Sequence, residues 1–149
     1  MIVYRCISND HVIDPLSGEG ASKYGGRFNS IGVPVIYTAE HRAMSILELA
    51  IRQPISKITA EYFIVAYEVP DLFVDIKLNG DWIKDKAYTQ ATGDELLKVP
   101  ENLLIRVPSS ILNNCFNYLI SPGADGFGDI NALPKEPILL DERVKQLFK

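Results

Sequence analysis

The feature that most constrains the fold is the number of short β-type segments beside one well-marked helix. Apolar or alternating runs of strand length recur along the chain, rich in β-branched and aromatic residues. In chain order they cover residues 1–7, 33–39, 61–69, 72–76, 103–112 and 116–120, and residues 137–148 predict a last short strand and a terminal helix. In the first run, Val3 and Arg5 fall on one face and Tyr4 and Cys6 on the other. This mixture predicts an α+β fold.

One helix and one loop stand out between these strands. Residues 39–53 predict a helix that ends before Pro54. Its apolar positions recur at helical spacing and extend nearly all round, which is typical of a buried helix; the expected core stripe is Ala43, Ile46, Leu47, Ala50 and Ile51. Residues 14–26 are rich in Gly and Ser and predict a long surface loop. Loops of this length inside a compact domain are often functional.

Composition limits the classes of function. A length of 149 residues fits one domain, and a net charge of −4 argues against non-specific binding to nucleic acid. The chain has no apolar run of about 18 residues and no signal-peptide pattern, so we expect neither a membrane span nor secretion. Two cysteines, Cys6 and Cys115, and two histidines, His11 and His41, do not make a four-ligand zinc site. We expect no metal and two reduced thiols in a cytoplasmic protein.

Glu48 is the least expected residue of the predicted helix, because it lies among apolar residues near the core stripe. An ionised carboxylate in such a place is costly unless a partner stabilises it. Either the helix is less buried than its pattern indicates and Glu48 is solvated, or an arginine pairs with it. Arg5 and Arg27 are the candidates for that partner. Arg5 itself lies in an otherwise apolar strand, where it is either paired or in water at a sheet edge.

Arg27 directly follows two glycines, Gly25 and Gly26. Glycine adopts positive φ and lets a backbone approach a ligand closely. The planar guanidinium of arginine matches phosphate and carboxylate oxygens. The triplet therefore predicts either an anion-binding position or an ordinary turn that carries a surface charge.

Three further residues are candidates for ligand contact, each with a plainer structural explanation. Tyr37 closes a predicted strand and is either a core aromatic or a ring that stacks on a ligand. Ser109 follows Pro108; the chain has no GxSxG elbow and no histidine in triad-like company, so a hydrogen bond to a ligand suits this hydroxyl better than nucleophilic attack. Asn117 is either a turn cap beside a core tyrosine or a polar group of the site.

Six segments, taken in order, resemble those of the RES-domain family: residues 4–5 (YR), 17–29 (SGEGASKYGGRFN), 35–40 (VIYTAE), 46–48 (ILE), 107–111 (VPSSI) and 117–122 (NYLISP). Residues 89–98 and 139–144 also resemble segments of that family, so the resemblance runs from Tyr4 to Val144. The sequence departs from the family at Phe28, where tryptophan is more frequent. It departs again at residues 121–130, where the family commonly has Asn-Pro and a basic or His-containing turn, so no ligand contact is predicted from that loop.

The resemblance implies a single RES domain over residues 1–149. It implies an α+β fold with a mixed, mainly antiparallel β core and a few helices, similar to that of ADP-ribosyltransferases. It also implies the toxin of a bacterial toxin–antitoxin pair that consumes NAD+. The residues that match the family's catalytic arginine, glutamate and serine are Arg27, Glu48 and Ser109, and those expected to bind NAD+ are Arg5, Tyr37 and Asn117.

The implied chemistry uses NAD+ as the substrate and needs no other cofactor. Arginine suits the pyrophosphate, and a carboxylate near the ribose stabilises the oxocarbenium-like state formed when the nicotinamide–ribose bond breaks. Phosphate or water is the expected acceptor of ADP-ribose; the alternative acceptor is a cellular protein, which would make the chain a mono-ADP-ribosyltransferase. A catalytically inactive binding module would need one of Arg27, Glu48 or Ser109 to be replaced, and none is.

The expected partners are NAD+, phosphate and an Xre-like antitoxin that blocks the active site. We expect neither direct nucleic-acid binding nor membrane binding by this chain. The resemblance leaves open a homodimer or a larger complex with the antitoxin.

Overall fold

The structure is a computed structural model that describes residues 1–9 and 14–148; residues 10–13, which include His11, and residue 149 lie outside the described part. The strands are β1 (Ile2–Ser8), β2 (Ile36–Ala39), β3 (Tyr62–Glu68), β4 (Val74–Asp75), β5 (Leu104–Pro108), β6 (Phe116–Ile120), β7 (Asn131–Ala132) and β8 (Glu136–Pro137). The helices are α1 (Glu19–Tyr24), α2 (Arg42–Ala50), α3 (Ile55–Glu61), α4 (Lys86–Leu97) and α5 (Glu142–Leu147).

The eight strands form one sheet in the order β4-β5-β6-β2-β1-β3-β7, and β8 pairs with a second stretch of β3. The pairing of β4 with β5 is parallel, and the other pairings among the described strands are antiparallel. β1 lies inside the sheet because its whole length, from Ile2 to Ser8, pairs with β3, while Tyr4 also pairs with Ala39 of β2. The predicted α+β class with a mixed, mainly antiparallel core is confirmed.

The alternation along β1 defines two faces of the sheet. Val3 and Ile7 pack in one apolar cluster with Tyr67 of β3, and this side is called the Val3 face. Tyr4 and Cys6 point the other way, toward α2 and α3, and this side is called the Tyr4 face. The face assignment of the first strand was therefore predicted correctly, because side chains alternate along a strand.

The Tyr4 face carries two separate apolar clusters. One lies over β5 and β6 and includes Phe28, Val35, Leu97, Ile105, Val107 and Leu119. The other lies over β1 and β3 and includes Leu49, Ile55, Ile58, Ile64 and Ile138. β2 runs between the two sets of strands. The polar residues discussed below therefore lie where these clusters meet.

Three helices were not predicted from the sequence. α1 interrupts the segment predicted to be a loop, and α3 and α4 were missed. α4 has no apolar stripe; its buried residues are Thr89, Gly93 and Leu97. A helix that packs through small and polar residues gives no hydrophobic periodicity to detect.

α2 differs from the helix predicted for residues 39–53. It is shorter, and its buried residues are Met44, Ser45 and Leu49. Ala43 and Ile51 of the predicted stripe are exposed, whereas Ile46 and Ala50 pack against the cluster over β1 and β3, so the predicted core face is only partly correct. Because the helix carries apolar residues on nearly all sides, its sequence did not show which face is buried.

None of the helices in residues 1–9 and 14–148 is long and apolar enough to cross a membrane. Cys6 and Cys115 are free thiols. Burial raises the pKa of the Cys6 thiol, whose Sγ lies 3.5 Å from Ser45 Oγ.

Candidate active site

The site is built around the carboxylate of Glu48. Its Oε1 accepts a hydrogen bond from Asn117 Nδ2 at 2.7 Å and one from Ser109 Oγ at 3.2 Å. Asn117 lies in β6 opposite Ala39 of β2, and Ser109 follows the last residue of β5. Hydrogen bonds to a charged group each contribute about 1.5–3 kcal/mol. α2, β5 and β6 thus converge on one half-buried carboxylate and fix its direction.

The partners of Glu48 differ from those expected. None of the ion pairs in the described part of the chain involves Glu48. Arg52 Nε donates only to the backbone carbonyl of Glu48, at 3.4 Å. Of the two alternatives for Glu48, the arginine pair does not form, and the partial exposure of the side chain agrees in part with the other. A hydroxyl and an amide are its partners instead. Partial exposure to solvent and these two hydrogen-bond donors offset the cost of a negative charge on Glu48.

Ser109 is almost fully buried and its hydroxyl is already engaged. Its Oγ accepts the backbone N–H groups of Ile111 at 3.2 Å and Leu112 at 3.3 Å. With two donors aimed at its oxygen, the hydroxyl proton is left to bond Glu48. This geometry fits a residue that positions Glu48 better than one that attacks or contacts a substrate.

Asn117 has one amide atom in use and one unpaired. Its nitrogen donates to Glu48, which fixes the orientation of the amide, because the reverse orientation would place two oxygens together. Its Oδ1 is buried and has no partner among the described residues. A buried acceptor without a partner costs about 1–3 kcal/mol. A ligand atom or a water molecule is the partner that such a group requires.

Tyr37 lies on the same face, opposite Leu119 and two positions along β2 from the Ala39–Asn117 pair. Its hydroxyl donates to Asn29 Oδ1 at 2.6 Å and accepts the Phe28 N–H at 3.0 Å. Burial raises the pKa of Tyr37 to about 12. The hydroxyl therefore stays neutral at physiological pH. Because it is already hydrogen-bonded to Asn29 and Phe28, the ring is the part of Tyr37 that is left to contact a ligand.

Backbone conformation and the packing of Tyr37 explain the two glycines that precede Arg27. Gly25 has φ of 70°, which favours glycine. A Cβ on Gly26 would lie 2.6 Å from the Tyr37 hydroxyl. Close approach of a side chain from β2, without any ligand, is therefore enough to require the pair.

Arg27 lies between Gly26 and Phe28, which both approach the Tyr37 hydroxyl, and its positive charge opposes the rise in the Tyr37 pKa caused by burial. Its Nη1 donates to the carbonyl of Ile83 at 2.9 Å, and its guanidinium carbon lies 5.9 Å from the centre of the Trp82 ring. Trp82 and Ile83 belong to a short 3₁₀ turn just before α4. Neither this turn nor α4 was among the candidate site residues, although residues 89–98 resemble a segment of the family.

Arg5 is the one selected residue that the structure does not bring to this group. It alternates with Tyr4 and Cys6, so it shares the Val3 face of the sheet. There its charge acts on Tyr67, where it opposes the rise in the tyrosine pKa caused by burial. Glu48 and its partners lie on the opposite face.

The structure thus brings together Glu48, Ser109 and Asn117 by direct contact, and Tyr37 projects from the same face of the sheet. Arg27 lies in the loop beside Tyr37, and its guanidinium contacts Ile83 and Trp82. The proposed roles of the selected residues toward a substrate remain predictions. No group of three or more His, Cys, Asp and Glu side chains in residues 1–9 and 14–148 is arranged to hold a metal ion.

Comparison with known proteins places the chain in a family. A family model described as the RES domain matches residues 2–141. The chain belongs to the RES-domain family. The resemblance inferred from the ordered motifs is therefore confirmed.

Similar proteins include toxins from several bacteria. A protein named Toxin Res from Photorhabdus laumondii is 28% identical, and the match covers 100% of both chains. A protein named Prs ADP-ribosylating toxin from Sphingobium sp. is 29% identical over 88% of this chain and 87% of its own length. A chain in the crystal structure of the M. tuberculosis MbcT–MbcA toxin–antitoxin complex matches with a TM-score of 0.76 and 21% identity, covering 99% of this chain and 87% of that one. This RES-domain chain thus has the fold of a solved toxin–antitoxin component and relatives that are named toxins.

Proposed function

We propose that this RES-domain protein is the toxin of a toxin–antitoxin pair and that it cleaves the nicotinamide–ribose bond of NAD+. The observation that carries the proposal is the Glu48 carboxylate, which Asn117 and Ser109 orient on the face of the sheet that also carries Tyr37. The family and the toxin names of its relatives support the same reading.

The proposed reaction needs one fixed negative charge. When the carbon–nitrogen bond between ribose and nicotinamide breaks, nicotinamide leaves with the electron pair and the ribose gains oxocarbenium character. A preorganised carboxylate stabilises that positive charge. A water or phosphate oxygen then bonds to the ribose carbon, and in the case of water a proton is released. Glu48 is the charge in this scheme, and Ser109 and Asn117 hold it in place.

The remaining residues of the site suit the other parts of NAD+. The guanidinium of Arg27 matches the pyrophosphate oxygens. The ring of Tyr37 offers a flat surface for the nicotinamide or ribose. The unpaired Oδ1 of Asn117 is buried, so a hydrogen bond to it from a ribose hydroxyl or the carboxamide N–H group requires the side chains around it to move. The position of Arg5 on the other face gives it no direct part in this arrangement.

Transfer of ADP-ribose to a protein is the second candidate, and the relative named Prs ADP-ribosylating toxin favours it. The two activities share Glu48 and differ in the acceptor. Incubation of purified protein with NAD+ alone, with added phosphate and with cell extract separates them. We expect ADP-ribose without phosphate and ADP-ribose-1″-phosphate with it. If NAD+ is consumed only when extract is present and ADP-ribose appears on a protein, transfer is the correct assignment.

The partner in this proposal is an Xre-like antitoxin, and the two meet in the cytoplasm, where NAD+ is available. The match to a component of a toxin–antitoxin complex supports a partner of this class. The antitoxin would cover the mouth of the site between residues 17–29 and Ser109. Because Arg27 is a local positive charge on an acidic chain, an Asp, a Glu or a terminal carboxylate of the antitoxin suits it.

The partner proposal is tested by expressing the chain with and without the product of the neighbouring gene. We expect poor growth and loss of NAD+ without the neighbour, and recovery with it. A neighbour that is truncated at the inserting segment is expected to bind without full inhibition. Full inhibition by the truncated form would show that the segment does not plug the site.

A further inference from the structure

Side chains of α4 bond the backbone of residues 26–30, here called the Arg27 loop. Three side chains of the helix bond four backbone groups of the loop. The bonds are Thr89 Oγ1 to the Arg27 carbonyl at 2.6 Å, Gln90 Nε2 to the Gly26 carbonyl at 2.9 Å and to the Asn29 carbonyl at 3.1 Å, and the Ser30 N–H to Asp94 Oδ1 at 2.9 Å. One helix therefore bonds four backbone groups of the loop, while the Phe28 N–H bonds the Tyr37 hydroxyl and the Gly26 N–H bonds the Asn29 carbonyl.

The fit between α4 and the loop is tight. Thr89 is fully buried. A Cβ on Gly93 would lie 1.9 Å from the carbonyl oxygen of Phe28, so the helix and the loop backbone touch at this glycine. A buried carbonyl that loses its donor costs free energy unless the backbone moves. The conformation of the Arg27 loop thus depends on the side chains of α4.

The turn before α4 holds the side chain of the same arginine. Arg27 Nη1 bonds the Ile83 carbonyl at 2.9 Å, and its guanidinium lies over Trp82. Residues 82–94 therefore fix both the backbone and the guanidinium of Arg27, although none of them is among the residues predicted to contact the substrate.

We propose that Thr89 and Gln90 are positioning residues for Arg27, which set the affinity for a substrate that carries phosphate groups and leave the bond-breaking step to Glu48. The proposal rests on the proposed function, because it takes the pyrophosphate of NAD+ as the ligand of Arg27. A guanidinium displaced by an ångström loses most of its directed bonds to an oxyanion, whereas the carboxylate on α2 stays where Ser109 and Asn117 hold it.

Thr89→Val tests the proposal because valine has nearly the same shape and no hydroxyl. We expect the KM for NAD+ to rise about tenfold with kcat within about twofold of the wild type. Thr89→Ser restores the hydroxyl and is expected to restore KM. The control is Thr92→Val on the same helix, since the Thr92 hydroxyl bonds only the Tyr88 carbonyl of α4, at 2.8 Å. Gln90→Ala, at a half-buried position, repeats the test with smaller risk to folding.

A second readout does not depend on activity. Trp82 is the only tryptophan of the chain, so its fluorescence reports on the neighbourhood of Arg27. We expect Thr89→Val to change the emission maximum and increase quenching by acrylamide, and Thr92→Val to leave both as in the wild type.

The two readouts separate the failure of this inference from that of the proposed function. A wild-type protein that neither binds nor cleaves NAD+ overturns the proposed function, and with it the effect on substrate affinity. Cleavage of NAD+ by the wild type with an unchanged KM in Thr89→Val and Gln90→Ala overturns the positioning role alone. Unchanged Trp82 fluorescence in both variants shows that α4 does not hold the loop.

Discussion

Replacing Glu48 by glutamine removes one charge and leaves the shape of the side chain nearly unchanged. Glutamine Oε1 can still accept from Asn117 Nδ2 and Ser109 Oγ, which now lie 2.7 and 3.2 Å from the glutamate oxygen. Each bond changes from a charge-assisted one, of about 1.5–3 kcal/mol, to a neutral one of about 0.5–1.5 kcal/mol. Relief of the buried charge offsets part of that loss. We expect the melting temperature to move by less than about 5 °C.

The same substitution is expected to remove most of the turnover. Loss of a preorganised charge that stabilises an oxocarbenium-like state costs on the order of 3 kcal/mol, or about a hundredfold in rate. The assay is nicotinamide release from NAD+ by protein made in a cell-free system, so that toxicity does not select for inactive chains. Glu95→Gln, at an exposed position of α4, is the matched control. Turnover of Glu48→Gln close to that of the wild type would refute the role of the carboxylate.

Three further predictions concern binding, packing and pH. Arg27→Lys keeps the charge and loses the planar fork, so we expect a large rise in the KM for NAD+ with little change in melting temperature; a variant that unfolds would indicate a structural role. Gly93→Ala is expected to lower the free energy of unfolding in urea by at least about 2 kcal/mol, because its Cβ would lie 1.9 Å from the Phe28 carbonyl oxygen. The control, Gly20→Ala, places its Cβ where no atom lies within 4 Å and should be neutral or slightly stabilising. Equal effects of the two substitutions would contradict the close packing at Gly93. The Arg42 guanidinium holds the pKa of Glu136 below its ordinary value of 4.5. The pair therefore stabilises the folded state above pH 4.5, and this contribution is lost as the pH falls through the lower pKa of the folded state. Glu136→Gln should therefore lose less stability between pH 7 and pH 3 than the wild type, and an equal loss would show that the pair adds nothing.

The sheet could be predicted because its strands carry strong local signals. β1, β2 and β6 have the apolar and β-branched residues that strands require. α4 could not be predicted, because its packing uses a threonine, a glycine and hydrogen bonds to a loop distant in sequence. The length of α2 was also overestimated. Apolar residues occur on all sides of the predicted helix, so the sequence pattern does not show where the helix ends.

Three residues selected from the sequence, Glu48, Ser109 and Asn117, contact one another in the structure, but their hydrogen bonds were not predicted. Glu48 drew attention because a charge in an apolar helix needs a partner, which the structure supplies through Asn117 and Ser109. Which partner it is depends on strand register, and a single sequence does not specify register. The same limit explains Arg5: its residue type suits NAD+, but its position in the alternation of β1 places it on the other face.

The most direct test of the account is the stoichiometry of nicotinamide release by purified wild-type protein given NAD+ and no protein acceptor. We predict one nicotinamide for each NAD+ consumed, many turnovers per protein molecule, and an equal amount of ADP-ribose or, with phosphate present, ADP-ribose-1″-phosphate. NAD+ that remains intact over the same period, in the absence and in the presence of phosphate, would contradict the account.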